Sequence, residues 1–257
     1  MENDTQRAKS SRPTGIYLAF AVIGSLPAVA LVAAGFGTRF GLWQFRTGFA
    51  ILKYAAVAGA VTALLGLIFG IIAIRQEWLR GVLISLVAIA CGVLAFGLPF
   101  SWKMNAMRYP KIHDITTDIA TPPEFDAVIP YRGGPVPYPG ASVAVQQREA
   151  YPDIRTLVLP VPAEQAFKHA VGEVQDLGWQ IVAMDPVHGR IEATDTTFWF
   201  GFKDDVVIRI TPAGKRSLLD IRSVSRVGIS DVGTNAQRVR NFIRAMSRQF
   251  PVQLPMS

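Results

Sequence analysis

Cysteine is almost missing from this 257-residue chain. Cys91 stands alone, which excludes an intrachain disulfide and any metal site built on cysteines. Histidine is nearly as scarce, and none falls at ligand spacing from His113. Charge is absent from three long runs, residues 16–36, 54–74 and 82–100, of 21, 21 and 19 positions. Transporters and proton pumps place ionisable groups at membrane depth, so clean runs fit an anchor or assembly surface rather than a pathway. A glycine-rich phosphate loop and the nucleophile elbow of serine hydrolases are also lacking. Acidic residues are rare in the first 102 positions, three against eight basic, while the remainder holds 16 against 18. The net charge of +7 is therefore no basic face for nucleic acid.

What is present is apolar: half of the residues are hydrophobic and 18% are charged, which excludes a disordered chain. About 20 helical residues at ~1.5 Å each cross a bilayer core of ~30 Å, so each run is long enough to span it. After an N-terminal tail (1–15), residues 16–102 read as three transmembrane helices. The first run exceeds a signal-peptide core and two more follow, so it is retained. Trp43, Trp78 and Trp102 lie in the flanks, where amphipathic rings prefer the headgroup level. Pro27 is a candidate kink, and Gly66 with Gly70 permits close helix packing. Loop lysines and arginines nearly tie between the two orientations. Arg7, Lys9 and Arg12 before the first span favour an inside N-terminus, which puts the C-terminal domain outside the cytoplasm.

Residues 103–153 are rich in proline and read as an extended tether able to wrap along the domain. An α+β domain is expected over 154–250, followed by a tail, 251–257. A strand at 155–159 leads to a helix that begins near Pro162 and stops at Gly178. Ala163, Ala166, Phe167, Ala170, Val171, Val174 and Leu177 form its apolar stripe, and His169 lies beside it, toward the surface. Two hairpins follow. A loop at 186–189 sets Met184 opposite Ile191 and Val182 opposite Ala193. A loop at 212–215 sets Ile208 opposite Leu219, Val206 opposite Ile221 and Asp205 opposite Arg222, with Asp220 diagonal to Arg209. The last helix spans 231–250, capped by Ser230, Asp231 or Thr234. The order β-α-β-β-β-β-α predicts a two-layer domain, an antiparallel sheet with two helices on one face.

Three clusters carry candidate chemistry. His113, Asp114, Thr116, Thr117 and Asp118 combine a histidine with two carboxylates, the elements of a metal site or of a base with its orienting partner. Asp and Thr also make local turns with backbone amides, and the structural reading is favoured. Arg222, Ser223, Ser225 and Arg226 lead into Asp231, beside a helix start that suits a phosphate or carboxylate. Asp204, Asp205 and Asp231 can instead neutralise those arginines internally, and that ion-pair network is the preferred reading. The run Phe198-Trp199-Phe200-Gly201-Phe202 suits lipid or ligand contact, or a cover for the open end of the core.

Three motifs, IHDITTD at 112–118, GFKDDVVIRI at 201–210 and DIRSVSRVGISDVGTNAQRVR at 220–240, resemble the domain of unknown function 1499 family over about residues 105–250. Members are mostly bacterial and plastid proteins, often with signal peptides or membrane spans, so the resemblance implies an extracytoplasmic domain. The three apolar runs lie outside the resemblance, and with them the expected place is multi-pass in a bacterial inner membrane. It carries no established activity. It directs attention to His113, Asp114, Thr116, Thr117, Asp118, Asp204, Asp205, Arg209, Arg222, Ser223, Ser225, Arg226, Asp231, Asn235 and Arg238. The expected function is a membrane-anchored, non-catalytic domain that binds a protein partner or an anionic, lipid-like ligand beside the lipid bilayer, its polar motifs converging on one edge. No metal, cofactor or nucleic acid is expected. One alternative is an envelope hydrolase using His113 with Asp114 or Asp118. The other is a purely structural subunit held in a complex through Gly66 and Gly70.

Overall fold

A computed structural model describes residues 14–250. Arg7, Lys9 and Arg12, on which the orientation rests, and the tail 251–257 lie outside the described residues. The chain divides into two compact units, Met1–Met104 and Asn105–Ser257.

The first unit holds α1 (Thr14–Arg39), α2 (Phe45–Arg75) and α3 (Leu79–Ala106). All three are long and apolar enough to cross a membrane. Arg39, Arg75 and Lys103 sit in the last turns, where a cation complements the helix dipole. Small residues are the buried ones: Gly59, Gly66, Gly70 and Ala73 on α2, and Ser85, Ala88, Gly92 and Ala95 on α3. A Cβ on Gly92 would lie 2.5 Å from the Gly59 carbonyl oxygen and 2.6 Å from the Ala63 nitrogen, so the two backbones touch. Gly66 faces Ile89 and Gly70 faces Ser85. The glycine pair expected to hold a complex together is thus occupied by the chain's own third helix.

The second unit contains β1 (Asp114–Thr116), α4 (Ile129–Arg132), α5 (Ala141–Ala150), β2 (Leu157–Leu159), α6 (Ala163–Asp176), β3 (Gln180–Asp185), β4 (Arg190–Thr196), β5 (Lys203–Ala213), β6 (Arg216–Ser225) and α7 (Thr234–Gln249). The antiparallel sheet runs β3-β4-β5-β6, and the outer edge of β6 is shared by β1 and β2. One face carries the main core, in which Ile115, Leu159, Ile191, Val206, Ile208, Leu219 and Ile221 meet Ala170 and Val174 of α6 and Val239, Phe242 and Met246 of α7. On the other face Val207 and Val224 meet Phe125 and Val128. The expected α+β layering holds.

The tether does wrap along the domain, but it is not merely extended chain. Residues 103–153 contain β1, α4 and α5, and bury Ile112, Ile115, Phe125 and Val128. Proline marks where a helix cannot run; it says nothing about whether extended chain is buried. Gln147 of α5 shows how that segment is fixed. Its side-chain carbonyl accepts the Thr116 amide at 3.0 Å and its amide donates to the Thr116 carbonyl at 2.6 Å, so it completes the pairing of an edge strand.

Both hairpin registers need correction. Met184 does face Ile191, but a bulge between Ile181 and Ala183 sets Ile181, not Val182, opposite Ala193. In the second hairpin Ile208 faces Ile221, Val206 faces Ser223, Asp205 faces Val224, and Arg209 lies directly opposite Asp220. The loop is only Gly214 and Lys215, with Gly214 at φ +67°, a positive value that suits a tight hairpin. That slides the pairing by two residues and leaves every side chain on its expected face. Among the helices, α6 ends before Gly178 at φ +73° as its sequence indicates. The final helix starts at Thr234, later than expected. Asp231 serves as its cap from outside, its carboxylate accepting the amides of Gly233 at 3.0 Å and Asn235 at 2.6 Å.

Candidate functional site

Strand alternation sends Asp205, Val207 and Arg209 of β5, and Asp220, Arg222 and Val224 of β6, to the face away from α6 and α7. Asp114 and Thr116 of β1 share that face, opposite Val224 and Arg222. The polypeptide between Pro123 and Tyr138 lies over these charges as a strap. Arg222 donates to both oxygens of Asp114 at 2.9 and 2.7 Å and to the carbonyls of Pro123 and Val136 at 3.2 and 3.1 Å. Its guanidinium lies 5.2 and 5.5 Å from the ring centres of Phe125 and Tyr138. Burial and the Asp114 charge push the Tyr138 hydroxyl up to about 12.

Asp205 binds Arg226 at 2.8 and 2.9 Å, Arg132 at 2.7 Å and the Thr194 hydroxyl at 2.6 Å. Burial pushes its carboxyl up, but hydrogen bonds from Arg226, Thr194 and Arg132 outweigh that and hold it below the ordinary value. Arg209 bridges Asp118 and Asp220, both at 2.9 Å. Burial likewise acts against the Asp118 charge, yet bonds from Thr121, Ala120 and Arg209 lower its pKa overall. Thr117 donates to Asp220 at 2.9 Å and accepts the Ile221 amide at 3.0 Å.

The remaining candidates sit on the opposite face, at the start of α7. Arg238 binds Asp204 at 2.6 Å and Asp195 at 2.9 Å. Asn235 accepts from Ser223 at 2.6 Å and donates to the Ser225 hydroxyl and the His113 carbonyl, each at 2.9 Å. Partial burial of Asp231 raises its pKa, and the amides of Asn235 and Gly233 only partly offset this. The polar motifs therefore do not converge on one edge. The sheet divides them into two clusters, because neighbours along a strand point to opposite faces.

His113 lines an open cleft of about 580 Å³ with Asp114, Arg132, Gly133, Gly134 and Arg226. Its Nδ1 is buried without a hydrogen-bond partner. Asp118 does not line that cleft, being held by Arg209. A second cleft of about 460 Å³ opens beside Arg238, Asp195, Tyr109 and Trp179. Among the described residues no group of three His, Cys, Asp or Glu is placed to hold a metal ion. Sequence reasoning missed Arg132, Glu192, Gln147 and Asp195. Glu192, whose carboxylate accepts the amides of Asp126, Ala127 and Val128 at 3.0, 3.1 and 3.0 Å, had one visible signal, a lone acid between the core residues Ile191 and Ala193.

No curated protein matches the chain. Among solved structures, the di-domain ARO/CYC BexL of the BE-7585A biosynthetic pathway is 12% identical with a TM-score of 0.29, over 37% of this chain and 44% of that one. This chain thus spans less than half of BexL. CalU16 from Micromonospora echinospora is 12% identical with a TM-score of 0.28, over 39% and 74% of the two chains. The Zhui aromatase/cyclase from Streptomyces sp. R1128 is 14% identical with a TM-score of 0.22, over 37% and 82%. Likenesses this slight carry no inference about a reaction. The strap, the sheet and most of α7 are instead matched as a whole, residues 114–246, by the model of the protein of unknown function DUF1499, and the chain belongs to that family.

Proposed function

We propose that the protein is a membrane-anchored, non-catalytic binding protein whose C-terminal domain takes an anionic group in the cleft beside His113, Arg132 and Arg226. The group is the phosphate or carboxylate of a small or lipid-like ligand. One observation carries the reading: around this cleft three arginines, Arg132, Arg222 and Arg226, share two carboxylates, Asp114 and Asp205. One positive charge is left over in a partly enclosed, polar setting, where an anion is held more strongly than in water. His113 adds a buried nitrogen that no protein group satisfies. The same geometry weighs against the hydrolase alternative. A general base needs a free lone pair, whereas Asp114 is clamped by Arg222 and Asp118 by Arg209 and its own turn.

The test is a titration of the full chain in nanodiscs with inorganic phosphate and, separately, with short-chain phosphatidic acid, followed by calorimetry. Saturable binding is expected, at least tenfold weaker in Arg132→Gln. Phosphate alone binding points to a free anion, and phosphatidic acid alone to a lipid headgroup. Absence of both, or an esterase or phosphatase activity abolished by His113→Ala, overturns the reading.

We further place the domain outside the cytoplasm of a bacterial inner membrane, on the basic flank of the first span. A phosphatase fused after Ser257 is then active and a fluorescent protein fused there is dark; the reverse result inverts the orientation.

A further inference from the structure

The aromatic run between β4 and β5 takes no part in the cleft, and its most prominent side chain faces outward. Phe198 is 77% exposed, and Ile229, in the loop between β6 and α7, is 76% exposed. The two loops are neighbours, because the Arg226 amide donates to the Lys203 carbonyl at 3.0 Å. Val227 and Val232, 41% and 39% exposed, extend the same apolar end. Bulky apolar side chains clustered on adjoining loop tips mark an interaction site.

Chain connectivity says what meets this end. The Ser230 hydroxyl donates to the Pro110 carbonyl at 3.3 Å, and the Asp231 amide donates to the Ile112 carbonyl at 3.4 Å. The loop carrying Ile229 is thus bonded to the segment that leaves α3. From Trp102, at the border of the apolar run, to Ala106 is four helical residues, a rise of ~6 Å. From Ala106 to Pro110 an extended chain reaches at most ~14 Å. The anchoring point of these loops therefore lies within ~20 Å of the bilayer border on any path the chain takes. The opposite end of the sheet, with Val187 at the tip of the β3–β4 hairpin, lies about the length of the 11-residue strand β5 from these loops, ~37 Å. Charge points the same way. Arg108, Lys111 and Lys203 are exposed at this end, while Asp195 and Asp204 there share Arg238, Asp205 is paired with Arg226, and Asp231 is taken up by the amides of Gly233 and Asn235. Cations flanking apolar tips suit an anionic headgroup layer.

We propose that the β4–β5 and β6–α7 loops dock on the bilayer in which the chain is anchored, with Phe198 and Ile229 entering the headgroup–acyl boundary. This surface adjoins the anion cleft, which Val227 also lines, but Phe198 and Ile229 lie outside it, and the proposal goes beyond the binding function assigned to the cleft. It is read by a different signal, so either can fail alone.

The experiment uses the full chain with Cys91→Ser. Single cysteines are introduced as Phe198→Cys, Ile229→Cys or Val187→Cys and labelled with bimane. Each is reconstituted in phosphatidylcholine–phosphatidylglycerol vesicles, and quenching by brominated lipid is compared with quenching by aqueous iodide. The expected result is severalfold stronger lipid quenching at 198 and 229 than at 187, with protection from iodide. Iodide access at 198 and 229 equal to that at 187 overturns the proposal. Protection from iodide without lipid quenching also overturns it, since a protein, including a second copy, then covers the patch.

Discussion

Arg222 lies on Asp114 with two hydrogen bonds, 2.9 and 2.7 Å long, and only 1% and 3% of the two side chains reach solvent. The pair ties the first strand of the domain to its central hairpin. Removing one partner strands the other charge in the interior, so Arg222→Met costs about 3–5 kcal/mol. The double variant Arg222→Met with Asp114→Leu recovers most of that loss. Urea unfolding of the detergent-solubilised chain measures both; a mild single-variant effect would show that water reaches the pair.

Glu192 predicts a local rather than a global effect. Its carboxylate takes three consecutive strap amides, from Asp126 to Val128. Bonds to a charged acceptor are worth about 1.5–3 kcal/mol each, though not additively. Glu192→Ala is expected to speed hydrogen exchange of those amides by at least tenfold and to leave the amides of Val239 and Phe242 in α7 close to wild type. Equal acceleration at both places refutes a local role.

Within the first unit, Gly92 and Gly97 make a matched test. A Cβ on Gly92 would strike backbone atoms of α2, whereas one on Gly97 meets nothing within 4 Å. Gly92→Val should therefore cost about 1–3 kcal/mol by overpacking. Gly97→Val should cost little. Thermal unfolding of the two variants in the same detergent compares them directly.

Acid behaviour follows from the carboxylates. The folded pKa values of Asp205 and Asp118 are lowered, so their contribution is fully present above the unfolded value, about 3.9, and is lost as pH falls through the lowered values. Asp231 runs the other way. Its raised pKa means that stability falls as pH rises from about 3.9 through the folded value. Stability measured against pH should therefore drop at the acid end. Asp205→Asn should flatten that drop, and Asp231→Asn, which keeps a capping oxygen, should remove the opposing slope.

The three long apolar helices were legible because each needs only its own composition: no partner element decides whether a run of about 20 uncharged apolar residues is long and apolar enough to cross a bilayer. Helix α6 was legible at both ends, from Pro162 and Gly178. Facing was legible in the second hairpin because alternation is local, which is why Asp205, Arg209 and Arg222 were correctly assigned to one side. Their partners were not. Two registers separated by two residues preserve the same alternation, and the turn at Gly214 chooses between them.

The candidate site divides along the same line. Its arginines and aspartates were evident as residue types, yet Arg222 was matched with Asp205 when it holds Asp114, and Asp205 holds Arg132 and Arg226. These pairs join positions 108, 73 and 21 residues apart, and no periodicity reaches that far. Composition and pattern by themselves determined the three apolar helices, the α+β class and the faces of the second hairpin, because those depend on transfer free energy and on the period of a strand. Only the tertiary structure decided that the proline-rich segment is a strap, that the polar motifs form two clusters, and which arginine each carboxylate holds. Those outcomes depend on which distant segment arrives to bury a charge, and the cost of leaving it unpaired selects the partner.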